Sequence, residues 1–258
     1  MSAETPGRSF ALVLEYDGTD FYGSQAQPQG RTVQSVLEQA LFQITQQRLR
    51  LVLAGRTDAG VHALGQVASF TLETRLAPAE LQRALNAVLP YDLAVLRCGE
   101  VPSGFSARYS ARSREYVYEI VNRPSRSPLA RRGAYRVWQP LDAAAMDAGC
   151  RELPGRHDFA SFCGAGRRER TVRTLHRAAC LRAGERVRVE LVADAFLPHM
   201  VRNIVGTLIW LGTGKLDLPA FVSIFRAAER RLAGPTAPPQ GLYLARVNYE
   251  DEWQGVFG

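Results

Sequence analysis

This sequence of 258 residues has little lysine, few cysteines and no long apolar run. Lys215 is its only lysine, so 31 of its 32 basic residues are arginine. The four cysteines show no C-x-x-C spacing and do not combine with histidines at zinc-binding separations, so we expect no metal site. Because no stretch predicts a membrane span or a signal peptide, we expect a cytoplasmic protein without a membrane partner.

A nucleotide-binding fingerprint is also missing. The stretch Gly212–Lys215 has part of a phosphate-loop pattern, but Ile209 stands where the first glycine is needed. Leu216 likewise stands where that pattern needs serine or threonine. The stretch is therefore read as a helix C-terminus, and we expect neither a nucleotide nor any other cofactor.

Positive charge is concentrated in two segments of the chain. The net charge is +7, which favours an acidic partner such as nucleic acid. Arg108–Arg136 contains eight arginines and two glutamates, and Arg167–Arg182 contains six arginines and one glutamate. The rest of the chain is net negative, so the pattern indicates a phosphate-binding surface. Two solvated arginine-rich faces would give the same pattern, and an arginine-rich composition is also typical of a GC-rich genome.

Hydrophobic periodicity predicts strands and helices without strict βαβ alternation. This mixture indicates an α+β fold with a mostly antiparallel sheet, and we place a domain boundary near residue 110, giving domains 1–110 and 111–258. The predicted strands are 10–16, 51–54, 67–72, 93–96, 116–121, 187–191 and 242–249. The predicted helices are 33–44, 78–89, 142–150, 200–212 and 219–232.

One octapeptide, Gly55-Arg56-Thr57-Asp58-Ala59-Gly60-Val61-His62, contains a carboxylate in a glycine-flanked loop between two predicted strands. Glycine lets a backbone approach a substrate closely, and a nearby cation such as Arg56 favours the ionised carboxylate. The setting suits a reactive Asp58. An aspartate beside glycine is nevertheless more often a turn or capping residue.

The octapeptide resembles the catalytic signature of the TruA-type tRNA pseudouridine synthases. Further stretches similar to that family follow in the same order: Tyr16–Thr19, Arg31–Gln34, Asn86–Pro90, Phe105–Arg108, His157–Phe159, Thr171–Thr174, Met200–Asn203 and Ala233–Pro238. The resemblance implies an isomerase that converts uridine to pseudouridine at positions 38, 39 and 40 of the tRNA anticodon arm. It also implies a homodimer of chains with two similar RRM- or ferredoxin-like halves flanking a central cleft.

The resemblance also implies roles for single residues. Asp58 would be the essential catalytic carboxylate, and Arg202 would pair with it. Tyr116 would lie against the target uracil, Arg56 would contact RNA near the flipped nucleotide, and Leu244 would form part of an apolar wall. From the residues alone, the alternating strand pattern favours a core position for Tyr116, and a lone arginine such as Arg202 is more often a structural ion-pair partner. A buried guanidinium needs an acid, however, and Asp58 is the natural candidate.

The sequence departs from the family pattern after Tyr22-Gly23. Where the family typically has tryptophan, glutamine and arginine, this chain has Ser24, Gln25 and Ala26, so an aromatic and a cation available to RNA are missing. Pro198 also replaces a position that is more often aromatic or basic. Two alternatives stay open at this point: a pseudouridine synthase acting on another RNA, and a non-catalytic RNA-binding module.

Overall fold

The computed structural model describes residues 7–164 and 170–250, and over this part of the chain it has ten strands and five α-helices. The strands are β1 (Gly7–Tyr16), β2 (Val52–Leu53), β3 (His62–Glu73), β4 (Leu93–Val101), β5 (Ser113–Asn122), β6 (Tyr135–Val137), β7 (Gly155–Asp158), β8 (Val172–Ala183), β9 (Arg186–Ala193) and β10 (Leu242–Asn248). The helices are α1 (Val33–Thr45), α2 (Pro78–Val88), α3 (Ala143–Arg151), α4 (Met200–Gly212) and α5 (Leu218–Arg226). The expected α+β class is confirmed.

The chain forms two compact units. The first runs to Arg112 and also takes in the chain from Leu244 onward, and the second is Ser113–Tyr243. The division into domains 1–110 and 111–258 stays a prediction, because a compact unit need not be a domain that folds alone. None of the helices in the described ranges is long and apolar enough to cross a membrane.

In the first unit, strands β4, β1, β3 and β10 lie side by side in that order, and β2 pairs with β3. Strand β1 is antiparallel to both neighbours: Val13 lies opposite Val67 of β3, and Leu12 lies opposite Cys98 of β4. The apolar side chains of the central strand and of the helices are removed from water, which supplies the main driving force for folding. The largest of them are Phe10, Leu12, Leu14, Leu37, Leu41, Leu81 and Leu85.

In the second unit, strands β5, β9, β8 and β7 are neighbours in that order and antiparallel, while β6 runs parallel to β5. The strand predicted over 187–191 is confirmed as β9, in which Val187, Val189 and Leu191 are buried between more exposed neighbours. Helices α3, α4 and α5 add a core rich in phenylalanine, in which the rings of Phe162 and Phe225 stack with centroids 5.8 Å apart.

Side chains fix the starts of three helices. The backbone N–H of Ser35 donates to the hydroxyl of Thr32, which is the N-cap of α1. Asp142 accepts two N–H groups at the start of α3, and Asp217 accepts one at the start of α5. These bonds satisfy donors that a helix N-terminus leaves without an internal partner.

The structure differs from the prediction in several places, and the short strands β6 and β7 are among the elements that were not predicted. The helix predicted over 219–232 ends at Arg226, because Ala228 adopts a left-handed φ of 53° and a separate short turn follows. Strand β8 was not predicted, since arginines interrupt its apolar positions and only Leu175 and Cys180 among its residues are buried. The strand predicted over 51–54 is reduced to the two residues of β2.

Candidate active-site loop

Asp58 lies in the loop that joins β2 to β3 in the first unit. Its side chain is half-buried, whereas Arg56 is exposed. The N–H of Val61 donates to the carbonyl of Asp58 at 3.2 Å, and Gly60 has a φ of 78°. The loop is therefore a tight turn whose left-handed backbone at position 60 favours glycine.

The residue before Asp58 is held on three sides. The N–H of Thr57 donates to the hydroxyl oxygen of Ser24 at 2.8 Å, and the N–H of Ser24 donates to the carbonyl of Thr57 at 3.1 Å. The hydroxyl groups of Tyr16 and Thr57 are hydrogen-bonded at 2.8 Å in the interior. Because both backbone polar groups and the side chain of Thr57 are bound, the position from which Asp58 projects is closely defined.

Two glycines allow another segment to lie directly against this loop. A Cβ atom on Gly23 would stand 2.8 Å from the carbonyl oxygen of Thr57, and φ at Gly23 is 86°. A Cβ atom on Gly18 would stand 2.0 Å from the carbonyl oxygen of Val61. No side chain fits in either space, so the Tyr16–Thr19 stretch and Gly23 act as the support of the loop.

The end of the loop and the start of β3 are fixed by two further side chains. The N–H of Gly18 donates to Nδ1 of buried His62 at 3.0 Å. Nε2 of Gln66 donates to the carbonyl of Gly55 at 2.9 Å. Both ends of the octapeptide are thus tied to the sheet of the first unit.

Ser24 is fully buried and joins the loop to helix α1. Its carbonyl accepts the N–H of Gln34 at 2.9 Å, in the first turn of that helix. Next to it, the half-buried Ala26 donates its N–H to Oε1 of Gln34. The sequence presents Ser24 as a position where an RNA contact is missing, whereas the structure gives its side chain an interior hydrogen bond to the Asp58 loop.

Tyr116 and Arg202 belong to the second unit. Tyr116 lies on β5 opposite Leu191, its side chain is only 7% exposed, and its ring meets Phe196 edge-on with centroids 5.0 Å apart. Arg202, in the first turn of α4, donates from Nε to the carbonyl of Ala237 at 2.7 Å. Burial raises the pKa of the neighbouring Tyr118, and the positive charge of Arg202 opposes that rise.

Thr236, which directly precedes Ala237, is part of a hydrogen-bonded network. Arg230 donates to Oδ1 of Asn203 at 3.0 Å and to the hydroxyl of Thr236 at 3.2 Å. Burial lowers the pKa of Arg230. Sequence reasoning did not single out Asn203, Arg230 or Thr236, although two of the family-like stretches contain Asn203 and Thr236.

The predicted site residues therefore divide between the units. Asp58, Arg56 and Leu244 lie in the first, where Leu244 is fully buried on β10. Tyr116 and Arg202 lie in the second. Their roles, including the pairing of Asp58 with Arg202, stay predictions.

A profile of the family described as tRNA pseudouridine synthase matches residues 12–110 and 150–250. These stretches include the whole Asp58 loop, Arg202 and the network around Asn203. The chain belongs to the tRNA pseudouridine synthase family. Membership makes it an isomerase that acts on tRNA, so the alternative of a non-catalytic RNA-binding module is excluded. Tyr116 lies between the two matched stretches.

Individual relatives in the family cover nearly the whole chain. The tRNA pseudouridine synthase A of Roseiflexus sp. (strain RS-1) is 48% identical over 253 residues, which are 96% of this chain and 93% of the relative. That of Thermoanaerobacter sp. (strain X514) is 40% identical over 94% of this chain and 100% of the relative. The tRNA pseudouridine synthase A of Myxococcus xanthus is 43% identical over 93% of this chain and 91% of the relative.

Proposed function

We propose that this synthase isomerises uridine to pseudouridine at positions 38, 39 and 40 in the anticodon stem-loop of tRNA, with Asp58 as the essential carboxylate. The observation that carries the proposal is the fixed backbone of Thr57, which holds the signature aspartate half-buried at the surface of a rigid unit. A catalytic group held in this way loses little freedom when the reaction occurs.

The proposed reaction rearranges bonds without any redox change. The N1–C1′ bond of uridine breaks, the uracil turns in the site, and C5 bonds to C1′. The proton on C5 is then lost, and N1 takes up a proton, so atoms and charge balance. The Asp58 carboxylate has three available roles, as a nucleophile at C1′, as a nucleophile at C6, or as a base at C2′. Each role requires the ionised form.

The remaining site residues have roles that follow from their chemistry. A guanidinium such as that of Arg202 would stabilise the ionised Asp58 against partial removal from water. The face of Tyr116 would hold the detached uracil while it turns, and Leu244 would exclude water from one side. Arg56, exposed on the same loop as Asp58, would contact RNA beside the flipped nucleotide.

The proposed assembly completes this function. We propose two similar ferredoxin-like halves that flank the active-site cleft, and a cytoplasmic homodimer that binds one tRNA across both subunits. The basic segments Arg108–Arg136 and Arg167–Arg182 would contact its phosphates. Within the second segment, Arg167 and Arg168 lie outside the described residues, while Arg170, Arg173, Arg177 and Arg182 lie inside them.

Tritium release tests this function directly. The substrate is an unmodified tRNA transcript with 5-tritiated uridines at positions 38–40, because formation of the C5–C1′ bond releases the label. We expect release with the wild type and none with Asp58→Ala. Release with both proteins would remove Asp58 from the mechanism, and no release with a folded wild type that binds tRNA would redirect the search to other uridines.

Binding provides the control for that experiment. Phosphate contacts dominate the affinity of a protein for nucleic acid, so Asp58→Ala should bind the transcript within about tenfold of the wild type. A filter-binding titration of both proteins separates loss of chemistry from loss of binding. An Asp58→Ala variant that no longer binds would show that its inactivity does not report on catalysis.

A further inference from the structure

A cavity of about 540 Å³ lies in the second unit beside the segment that joins β5 to β6. Its volume falls within the range of roughly 300–1,000 Å³ that is typical of ligand pockets. Ten residues line it, and none of them is acidic. Three are arginines: Arg126, Arg131 and Arg136.

Two acidic side chains of this part of the second unit, one in the turn between β8 and β9 and one on β5, pair with arginines outside the cavity lining. Glu185 pairs with Arg123 at 3.1 Å, and Glu119 on β5 pairs with Arg188 on β9 at 2.6 Å. Neither carboxylate lines the cavity. The three lining guanidinium groups therefore give the cavity a positive charge that its own lining does not neutralise, and such a site favours an anionic ligand.

The segment that carries these arginines is held in place. Arg136 donates from Nη1 to the carbonyl of Pro124 at 2.7 Å, which orients its guanidinium. Arg123 donates to the carbonyl of Arg126 at 2.9 Å, and Tyr243 donates its hydroxyl to the carbonyl of Gly133 at 2.8 Å. A site that exists before the ligand arrives loses less conformational freedom on binding.

The lining of the cavity also includes apolar side chains and one aromatic ring. Val121 and Ala134 are buried, and Tyr135 is half-buried. Guanidinium groups bind phosphate oxygens through paired hydrogen bonds, and an aromatic ring stacks on a base. A ligand that uses both features has a phosphate joined to a nucleoside.

We infer that this cavity binds one phosphodiester group of RNA together with its adjoining nucleoside. RNA as the source of that group rests on the proposed tRNA substrate, whereas the anionic chemistry rests on the cavity alone. The segment lies outside the two stretches that match the family profile, so the site would be a contact additional to the Asp58 loop.

The salt dependence of tRNA binding tests the site. We compare the wild type with Arg126→Ala and Arg131→Ala, whose exposed side chains permit removal without loss of the fold. Arg226→Ala, which removes an exposed arginine from the last turn of α5, is the matched control for net charge. The measurement is the dissociation constant of an unmodified tRNA transcript between 50 and 200 mM KCl.

Each cavity variant should lose about one phosphate contact. The slope of log Kd against log salt should then decrease by roughly 0.7–0.9, and Kd at 100 mM salt should rise about three- to tenfold. For Arg226→Ala, the change in the salt slope and the change in Kd should each be less than about a third of those expected for the cavity variants. Equal losses in all three variants would overturn the inference, because they would report general charge and not a site.

Two further probes separate the sources of the phosphate. Inorganic phosphate and uridine 5′-monophosphate should compete with tRNA only at millimolar concentrations. Competition by the mononucleotide at micromolar concentrations, lost in Arg131→Ala, would overturn RNA as the ligand. This result is independent of the isomerase test: the wild type can release tritium while the cavity variants bind normally, and the cavity can bind RNA while positions 38–40 stay unmodified.

Discussion

At the scale of single residues, the Asp58 loop depends on contacts between positions far apart in the chain. Ser24 and Thr57 are 33 residues apart in the sequence, yet two hydrogen bonds join them. The N–H of Thr57 donates to the Ser24 hydroxyl, and the N–H of Ser24 donates to the Thr57 carbonyl. Removal of that hydroxyl leaves the buried N–H of Thr57 without an acceptor, which costs about 1–3 kcal/mol. The backbone would relieve this cost by shifting, and Asp58 would shift with it.

Ser24→Ala should therefore lower the single-turnover rate constant at saturating tRNA about tenfold, equivalent to about 1.4 kcal/mol, while the dissociation constant of tRNA changes less than about twofold. Ser161→Ala is the matched control, because Ser161 is also fully buried and accepts a backbone N–H at 2.8 Å, in the second unit. Ser24→Cys, with a weaker acceptor of similar size, should give an intermediate rate. Equal rates for Ser24→Ala and Ser161→Ala would disprove the positioning role.

Tyr16 gives the loop a pH-dependent support. Burial raises the pKa of Tyr16 to about 12 from an ordinary value near 10. Since the folded state holds the proton more tightly, the stabilisation is complete below pH 10 and is lost as the pH rises towards 12. The unfolding free energy of the wild type should therefore fall by roughly 2–3 kcal/mol more over this interval than that of Tyr16→Phe. Urea titrations of both proteins at pH 9, 10, 11 and 12 test this, and parallel pH curves would contradict it.

The sequence predicts the position of the Asp58 loop because glycines and an aspartate between apolar runs have strong local preferences. It does not predict the role of Ser24. A serine after glycine in a polar loop looks solvent-exposed, and only the approach of the loop around Thr57 buries it. The sequence does not predict the role of Arg230 for the same reason, since its partner Asn203 lies 27 residues away in the chain.

At the scale of elements, helix α4 lies very close to the loop whose Ala237 carbonyl accepts the hydrogen bond from Arg202. A Cβ atom on Gly206 would stand 1.7 Å from the carbonyl oxygen of Pro235, and one on Gly234 would stand 2.7 Å from the carbonyl oxygen of Gly206. The Thr207 hydroxyl accepts the N–H of Gly234 at 2.9 Å. Ala237, whose carbonyl accepts the hydrogen bond from Arg202, comes two residues after Pro235. The packing of the two backbones therefore sets the position of Arg202.

Gly206→Ala should destabilise the protein by more than about 3 kcal/mol, because two backbones would have to separate. Gly212→Ala, in the same helix, is the control: its Cβ atom would meet only side chains, Met146 at 2.8 Å and Leu141 at 3.3 Å, and we expect a smaller cost of about 1–2 kcal/mol. Urea denaturation of the two variants measures the difference. Similar midpoints would show that α4 moves away from the loop at little cost.

Elements with strong periodicity are predicted well, and those with mixed composition are not. The capped helices α1 and α3 and the alternating strand β9 follow from local pattern. Strand β8 has twelve residues, but arginines and alanines obscure its alternation, and its pairing with β9 and β7 defines it. Its existence depends on neighbours that a local pattern does not contain.

At the scale of the whole molecule, the prediction with most consequence is the homodimer. One chain has a mass of 28.5 kDa, so the dimer should sediment as a particle of about 57 kDa. Analytical ultracentrifugation over a range of protein concentrations, in parallel with tritium release, measures whether activity follows the dimer. Full activity at concentrations where only the 28.5 kDa species sediments would show that one chain is sufficient.

The path of strand β10 determines when the sheet of the first unit can be completed during synthesis of the chain. This strand enters the first unit at Leu244, about 170 residues after β3 ends, and the carbonyl of Ala245 lies against Gly65 of β3. At about 5–20 residues per second, a ribosome needs roughly 10–35 s to supply that partner. We expect β3 to lack its neighbouring strand β10 for this length of time after β3 has been synthesised. The sheet of the first unit would thus stay incomplete until the ribosome has added strand β10, although all its other strands precede residue 102.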